Sequence, residues 1–180
     1  MKVKTPKIKK IKTELIMTGI FQQMSKENQE LFELLKCSNE LRENNRSLFK
    51  EYPKKYEKLL QFLVKIEENL HLRQKMRYIQ LMGIFLTNQI TAEDFSFYFI
   101  AEYYNICENL YEMERNFEQK FDELSNLLIE NKNKQCKIGR SFMVMYDQCD
   151  SFDPNSNSSV ICEADLRNSA KMLLCELERT

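Results

Sequence analysis

The single histidine of this chain, His71, is the side chain whose ordinary titration range best suits general acid or base work near neutrality. It stands close to Arg73, Lys75 and Arg77 in a charged helical pattern, with no partner that the sequence fixes. No Gly-rich phosphate loop, no nucleophile elbow and no cysteine beside a second histidine accompanies it. The paired carboxylates Glu67/Glu68 and Glu93/Asp94 are neighbours in sequence, so they diverge around a helix and form no acid–base couple. A di-metal carboxylate bundle takes Glu-x-x-His pairs from facing helices, which one histidine does not supply. These residues argue against an enzyme and call for no cofactor and no metal.

The six cysteines contain no C-x-x-C pair, so they resemble neither a secreted disulfide framework nor a zinc ribbon. Cys136, Cys149, Cys162 and Cys175 recur at intervals of thirteen, but Pro154 and the Asn/Ser run around it prevent one helix from aligning them. Reduced thiols acting as small buried hydrophobes are the reading they support. Residues 2–12 are basic and lead into no long apolar stretch, which argues against a signal peptide or a membrane helix. A soluble protein of the cytoplasm or of the plastid stroma follows, and the wealth of Lys, Asn, Ile and Phe suits an AT-rich genome.

The elements that must position any site are helices. Three glycines and three prolines in 180 residues are too few for strands joined by tight turns. Ser25 is placed to cap a helix whose stripe runs through Leu31, Leu34, Leu35, Leu41, Leu48 and Tyr52. Pro53 sets a boundary, and Tyr56, Leu59, Leu63, Ile66 and Leu70 form a second stripe, so a helical hairpin is expected. The polar patch at residues 71–77 marks a bend or a continuation, and it is taken as the border of a second region. Thr91 with Asp94 reads as a capping box that opens a long helical run from Phe95 to Leu128, divided near Glu112. A segment with Phe142, Met145, Tyr146 and Cys149, a turn-rich surface loop over 150–159, and a last helix with Leu166, Ala170, Leu173 and Leu177 complete the pattern. The expected organisation is a basic tail and lead-in at 1–24, a helical-hairpin extension at 25–76 and a helical bundle at 77–180.

A formal charge of zero conceals a split. Residues 1–76 carry 17 Lys/Arg against 10 Asp/Glu, and residues 77–180 carry 10 against 17. Either the halves pair or they address different partners. The tail offers Lys7, Lys9, Lys10 and Lys12 to anions, without an aromatic residue among them to read bases. Nonspecific contact with RNA or an acidic surface is the most it supports; a purely solubilising arm is the plainer reading.

Over residues 77–180 the order of motifs resembles the immunity proteins of the colicin D type. The resemblance is carried by Phe85, Leu86, Thr87, Asn88, Gln89 and Ile90 ending a short helix, and by Thr91, Ala92, Glu93, Asp94 and Phe95 starting the next with Tyr98 one turn on. It continues with Asp147, Asp150, Phe152, Asp153 and Pro154 at a helix-to-loop segment and Glu163, Ala164, Asp165, Leu166 and Arg167 opening the last helix. The resemblance implies an antiparallel four-helix bundle that inhibits a basic nuclease toxin, typically one cutting transfer RNA, by covering its active site with carboxylates. It further implies that Asp147, Asp150, Asp153, Glu163 and Asp165 face the toxin. As local structure, Asp150 and Asp153 also serve as turn formers and Glu163 and Asp165 as helix-start residues. The basic portion 1–76 has no counterpart in a minimal immunity protein. A non-catalytic structural or regulatory subunit of a larger bacterial or plastid complex is therefore carried alongside as the rival reading.

Overall fold

Helix starts and stops are written in short polar residues, and they divide the described residues into eight helices. The computed structural model describes residues 25–129, 138–154 and 161–179, and the described residues are all-α without a strand. An isolated parallel bridge joins Phe152 to Ile161. No helix among them is long and apolar enough to cross a membrane. The chain divides into two compact units, Met1–Leu59 and Leu60–Thr180.

In the first unit, Ser25 accepts the Asn28 amide on its hydroxyl at 3.2 Å and opens α1, Lys26–Glu43. Leu31, Phe32, Leu34, Leu35 and Leu41 are its buried apolar face. The stripe expected to continue unbroken to Tyr52 does not do so. Asn45 takes a left-handed φ of 55°, and Arg46 donates its amide back to the Leu41 carbonyl at 2.8 Å, which ends α1. A separate turn, α2, Leu48–Glu51, follows, and Tyr52 stands exposed. Pro53 then opens α3, Pro53–Arg73, the first-turn position where its missing N–H costs nothing.

In the second unit, the polar patch at 71–77 holds a helix break at Gln74, whose amide bonds the His71 carbonyl at 3.0 Å. Beyond it run α4, Lys75–Leu86, α5, Ala92–Arg115, and α6, Phe117–Ile129. Asn88, at φ 59°, turns the chain out of α4, and the Thr91/Asp94 capping box forms as the sequence predicts. The long apolar run divides at Asn116, one turn later than its pattern suggests. The last two helices are α7, Ile138–Asp150, and α8, Glu163–Arg179.

Helix α4 packs on α5 and α8, α7 packs on the same two, and each of them contributes buried residues to one core. Tyr78, Phe85, Phe95, Phe99, Phe142 and Met145 fill it beside Leu166, Leu173 and Leu177. Phe85 and Phe95 stack with ring centroids 4.1 Å apart. Arg167 lies over the Phe85 ring at 4.4 Å and donates to the Phe85 carbonyl at 2.8 Å, pinning the end of α4 to α8. Asn69 donates to the Leu127 carbonyl at 2.7 Å and ties α3 to α6.

Candidate partner-binding face

A residue that the sequence leaves without a partner turns out to sit at the centre of the second unit. His71 is buried, stacked on Phe142 at 4.5 Å and tilted against Tyr103 at 5.0 Å. Its Nδ1 lies 3.0 Å from the Tyr78 hydroxyl. Its Nε2 has no hydrogen-bond partner, and Glu67 Oε1 is 3.7 Å away. Burial pushes the Tyr78 phenol well above its ordinary range, so Tyr78 keeps its proton in this contact. Glu67 stands on the Nε2 side of the ring. Glu67 also accepts the Tyr103 hydroxyl at 3.3 Å. The sequence shows charged neighbours and no fixed partner for His71, but the rotation of the helix turns it inward while Arg73 faces out.

The adjacent carboxylates Glu67 and Glu68 diverge, as their spacing requires. Glu68 accepts the Gly139 amide at 3.1 Å at the start of α7, and burial holds its carboxyl above the ordinary 4.5. A Cβ on Gly139 would meet Glu68 Cγ at 2.8 Å, so glycine permits that approach.

Tyr103 connects this cluster to the surface. It stacks on Tyr146 of α7 at 4.6 Å, and the Tyr146 hydroxyl donates to that of Tyr104 at 3.0 Å. Hydrogen bonding to Tyr104, aided by burial, pushes the Tyr146 phenol up to about 12. Around this tyrosine pair the two helices present exposed stripes. On α5 the stripe is Phe97, Ala101, Tyr104 and Glu108; on α7 it is Met143, Val144, Asp147 and Asp150. Asp147 lies close enough to Tyr103, and Asp150 to Tyr146, for each carboxylate to raise the phenol beside it. The α5 stripe was legible as aromatics seven residues apart, Phe97, Tyr104 and Tyr111, offset from the buried Phe95, Phe99 and Ile106. The cross-helix tyrosine pair left no such signal.

The carboxylates singled out by resemblance occupy different situations. Asp147, Asp150 and Asp153 are exposed on and just after α7. Glu163 accepts both Nε and Nη2 of Arg167, at 2.8 and 2.6 Å. Asp165 accepts the amide and the thiol of Cys162, each at 2.9 Å, and these bonds hold its carboxyl below the ordinary carboxylate range. Glu163 and Asp165 therefore serve the start of α8. Lys7, Lys9, Lys10 and Lys12 lie outside the described residues, as does the loop over 155–160.

Of the cysteines, Cys149 is buried and burial pushes its thiol up to about 12, whereas Cys162 and Cys175 are exposed. The expectation that the thiols are small buried hydrophobes holds for Cys149; Cys37 and Cys107 are half-buried, and Cys162 and Cys175 fall on the outward side of the α8 start and of α8 itself. Among the described residues no three His, Cys, Asp or Glu side chains gather to hold a metal ion. A depression lined by Glu108, Tyr111, Glu112, Arg115 and Asn116 draws on the end of α5 and its cap alone.

Comparison with protein-family models, with curated proteins and with solved structures returns no match.

Proposed function

We propose that this chain is a non-catalytic protein-binding module that uses the α5/α7 face to cover a cationic site on a partner, as an immunity protein covers a basic nuclease. One observation carries the reading: Asp147 and Asp150 stand exposed, one turn apart, beside a tyrosine pair that is itself held by a hydrogen bond. Carboxylates on a packed helix lose little rotational freedom on binding, so they substitute for phosphates in a cationic groove at low entropic cost. The acidic balance of residues 77–180, 17 Asp/Glu against 10 Lys/Arg, supports the sign of the partner's charge. Glu163 and Asp165 are spent on the α8 start, so the binding load falls on Asp147 and Asp150, with Asp153 at the rim.

The test is a pull-down with the untagged full chain, followed by identification of the bound chain and assay of its cleavage of transfer RNA. A basic nuclease inhibited at one-to-one stoichiometry, and released by the charge reversal D147K/D150K with unchanged helicity, is the expected outcome. An acidic partner, or affinity untouched by the reversal, removes this face from the function. The rival, a structural or regulatory subunit of a larger bacterial or plastid complex, draws on the exposed Phe97, Tyr98 and Met172. An association rate that falls steeply with salt separates the electrostatic reading from that hydrophobic one.

A further inference from the structure

We infer that the α5/α7 face selects arginine over lysine on its partner, seating a guanidinium between the open ring of Tyr104 and the carboxylates of Asp147 and Asp150. The inference rests on the reading of this face as an acceptor of cations. Tyr104 is half exposed, at 53%, and Tyr146 meets it edge-on at an interplanar angle of 89°, its hydroxyl bonded to that of Tyr104. The contact fixes the ring in place without stacking over it. A fixed phenol presents a negative π face, and that face attracts a flat, weakly hydrated guanidinium more than a compact, strongly hydrated ammonium. Asp147 and Asp150 then accept from the fork of N–H groups that a guanidinium carries and an ammonium lacks.

The molecule uses the same combination internally. Arg167 lies over Phe85 at 4.4 Å while Glu163 accepts two of its nitrogens, and Arg115 stands over Tyr111 at 5.7 Å, two turns along α5 from Tyr104. Ring plus carboxylate is thus a guanidinium seat that this fold already fills at α8. Tyr104, Asp147 and Asp150 are exposed on the facing stripes of α5 and α7, and the Tyr146 to which Tyr104 is bonded lies beside Asp150. The exposed Phe97 and Met143 on the flanking stripes fit the apolar stems of such side chains. The occupant is therefore an arginine-bearing segment of a protein and not a polylysine-like surface.

The experiment titrates the full chain with two charge-matched probes, acetylated deca-arginine and deca-lysine, by calorimetry at low and at moderate salt. The arginine peptide is expected to bind about fivefold more tightly, the factor that about 1 kcal/mol of ring attraction gives at 1.4 kcal/mol per decade. Y104L is expected to bring the two affinities together, Y104F to keep them apart, and D147N/D150N to weaken both peptides. Equal binding of the two peptides by the natural chain, or an arginine preference that survives Y104L, overturns the inference while leaving the face an acceptor of cations. Failure of both peptides to bind, or binding indifferent to D147N/D150N, overturns the inference together with the reading on which it rests.

Discussion

Removing one oxygen from the core of the second unit, in Tyr78→Phe, isolates the contribution of the buried histidine cluster. The Tyr78 ring packs on Phe99 at 5.4 Å and Phe142 at 4.7 Å, and phenylalanine retains both contacts. What disappears is the 3.0 Å bond to His71 Nδ1, in a ring that is 1% exposed. Water does not reach that nitrogen, so the variant carries an unsatisfied buried polar nitrogen, at a cost of about 1–3 kcal/mol. Taking about 2 kcal/mol, with a urea slope of about 2 kcal/mol per molar, the midpoint falls by about 1 M. Tyr103→Phe is the control. It too deletes a hydroxyl, but the acceptor it abandons, Glu67, has a side chain 28% exposed, and solvent replaces the bond. Its cost is expected below about 1 kcal/mol. Urea denaturation followed by circular dichroism measures both. A Tyr78→Phe midpoint equal to that of the natural chain, or a larger loss in Tyr103→Phe, would refute the claim that burial makes the histidine bond matter.

Three further outcomes follow from named contacts. Gly139→Ala gains helix propensity of about 1 kcal/mol but drives Cβ into Glu68, so it is expected to stabilise the Glu68→Ala background and not the natural chain; thermal melts of the four variants decide this. Because burial raises the Glu68 carboxyl, the folded state keeps that proton to higher pH than the unfolded one. The chain is therefore expected to lose stability as pH rises from about 4.5 toward the raised value, and Glu68→Gln, which still accepts the Gly139 amide, to flatten that slope in urea titrations across the interval. Thr91→Ala removes the acceptor of the Asp94 amide at the start of α5 and is expected to cost about 1 kcal/mol, read as a lowered melting temperature.

Local chemistry made much of the architecture legible in advance. Ser25, Pro53 and the Thr91/Asp94 box open helices where the sequence places them, because a cap is satisfied within three residues of itself. The all-α class follows from the apolar period and the scarcity of glycine. The break at Asn45 was less visible, since asparagine enters the left-handed region only some of the time and the apolar spacing runs straight across it. For the candidate face, the resemblance named the acidic residues of α7, and the spacing of Phe97, Tyr104 and Tyr111 on α5 stood in the sequence without being read as a face. Neither reached their juxtaposition.

What the sequence determined by itself is whatever depends on neighbours three or four residues away: helix starts, apolar stripes, and the divergence of Glu67 from Glu68. Tertiary structure alone decided that His71 is buried against Tyr78, that Tyr146 of α7 reaches Tyr104 of α5 across 42 positions, and that Arg167 of α8 reaches the Phe85 carbonyl at the end of α4 across 82. The reason is physical. A helical period fixes the angle of each side chain about its own axis, whereas which helix lies beside that side chain depends on how four apolar stripes of unequal width close around a single core.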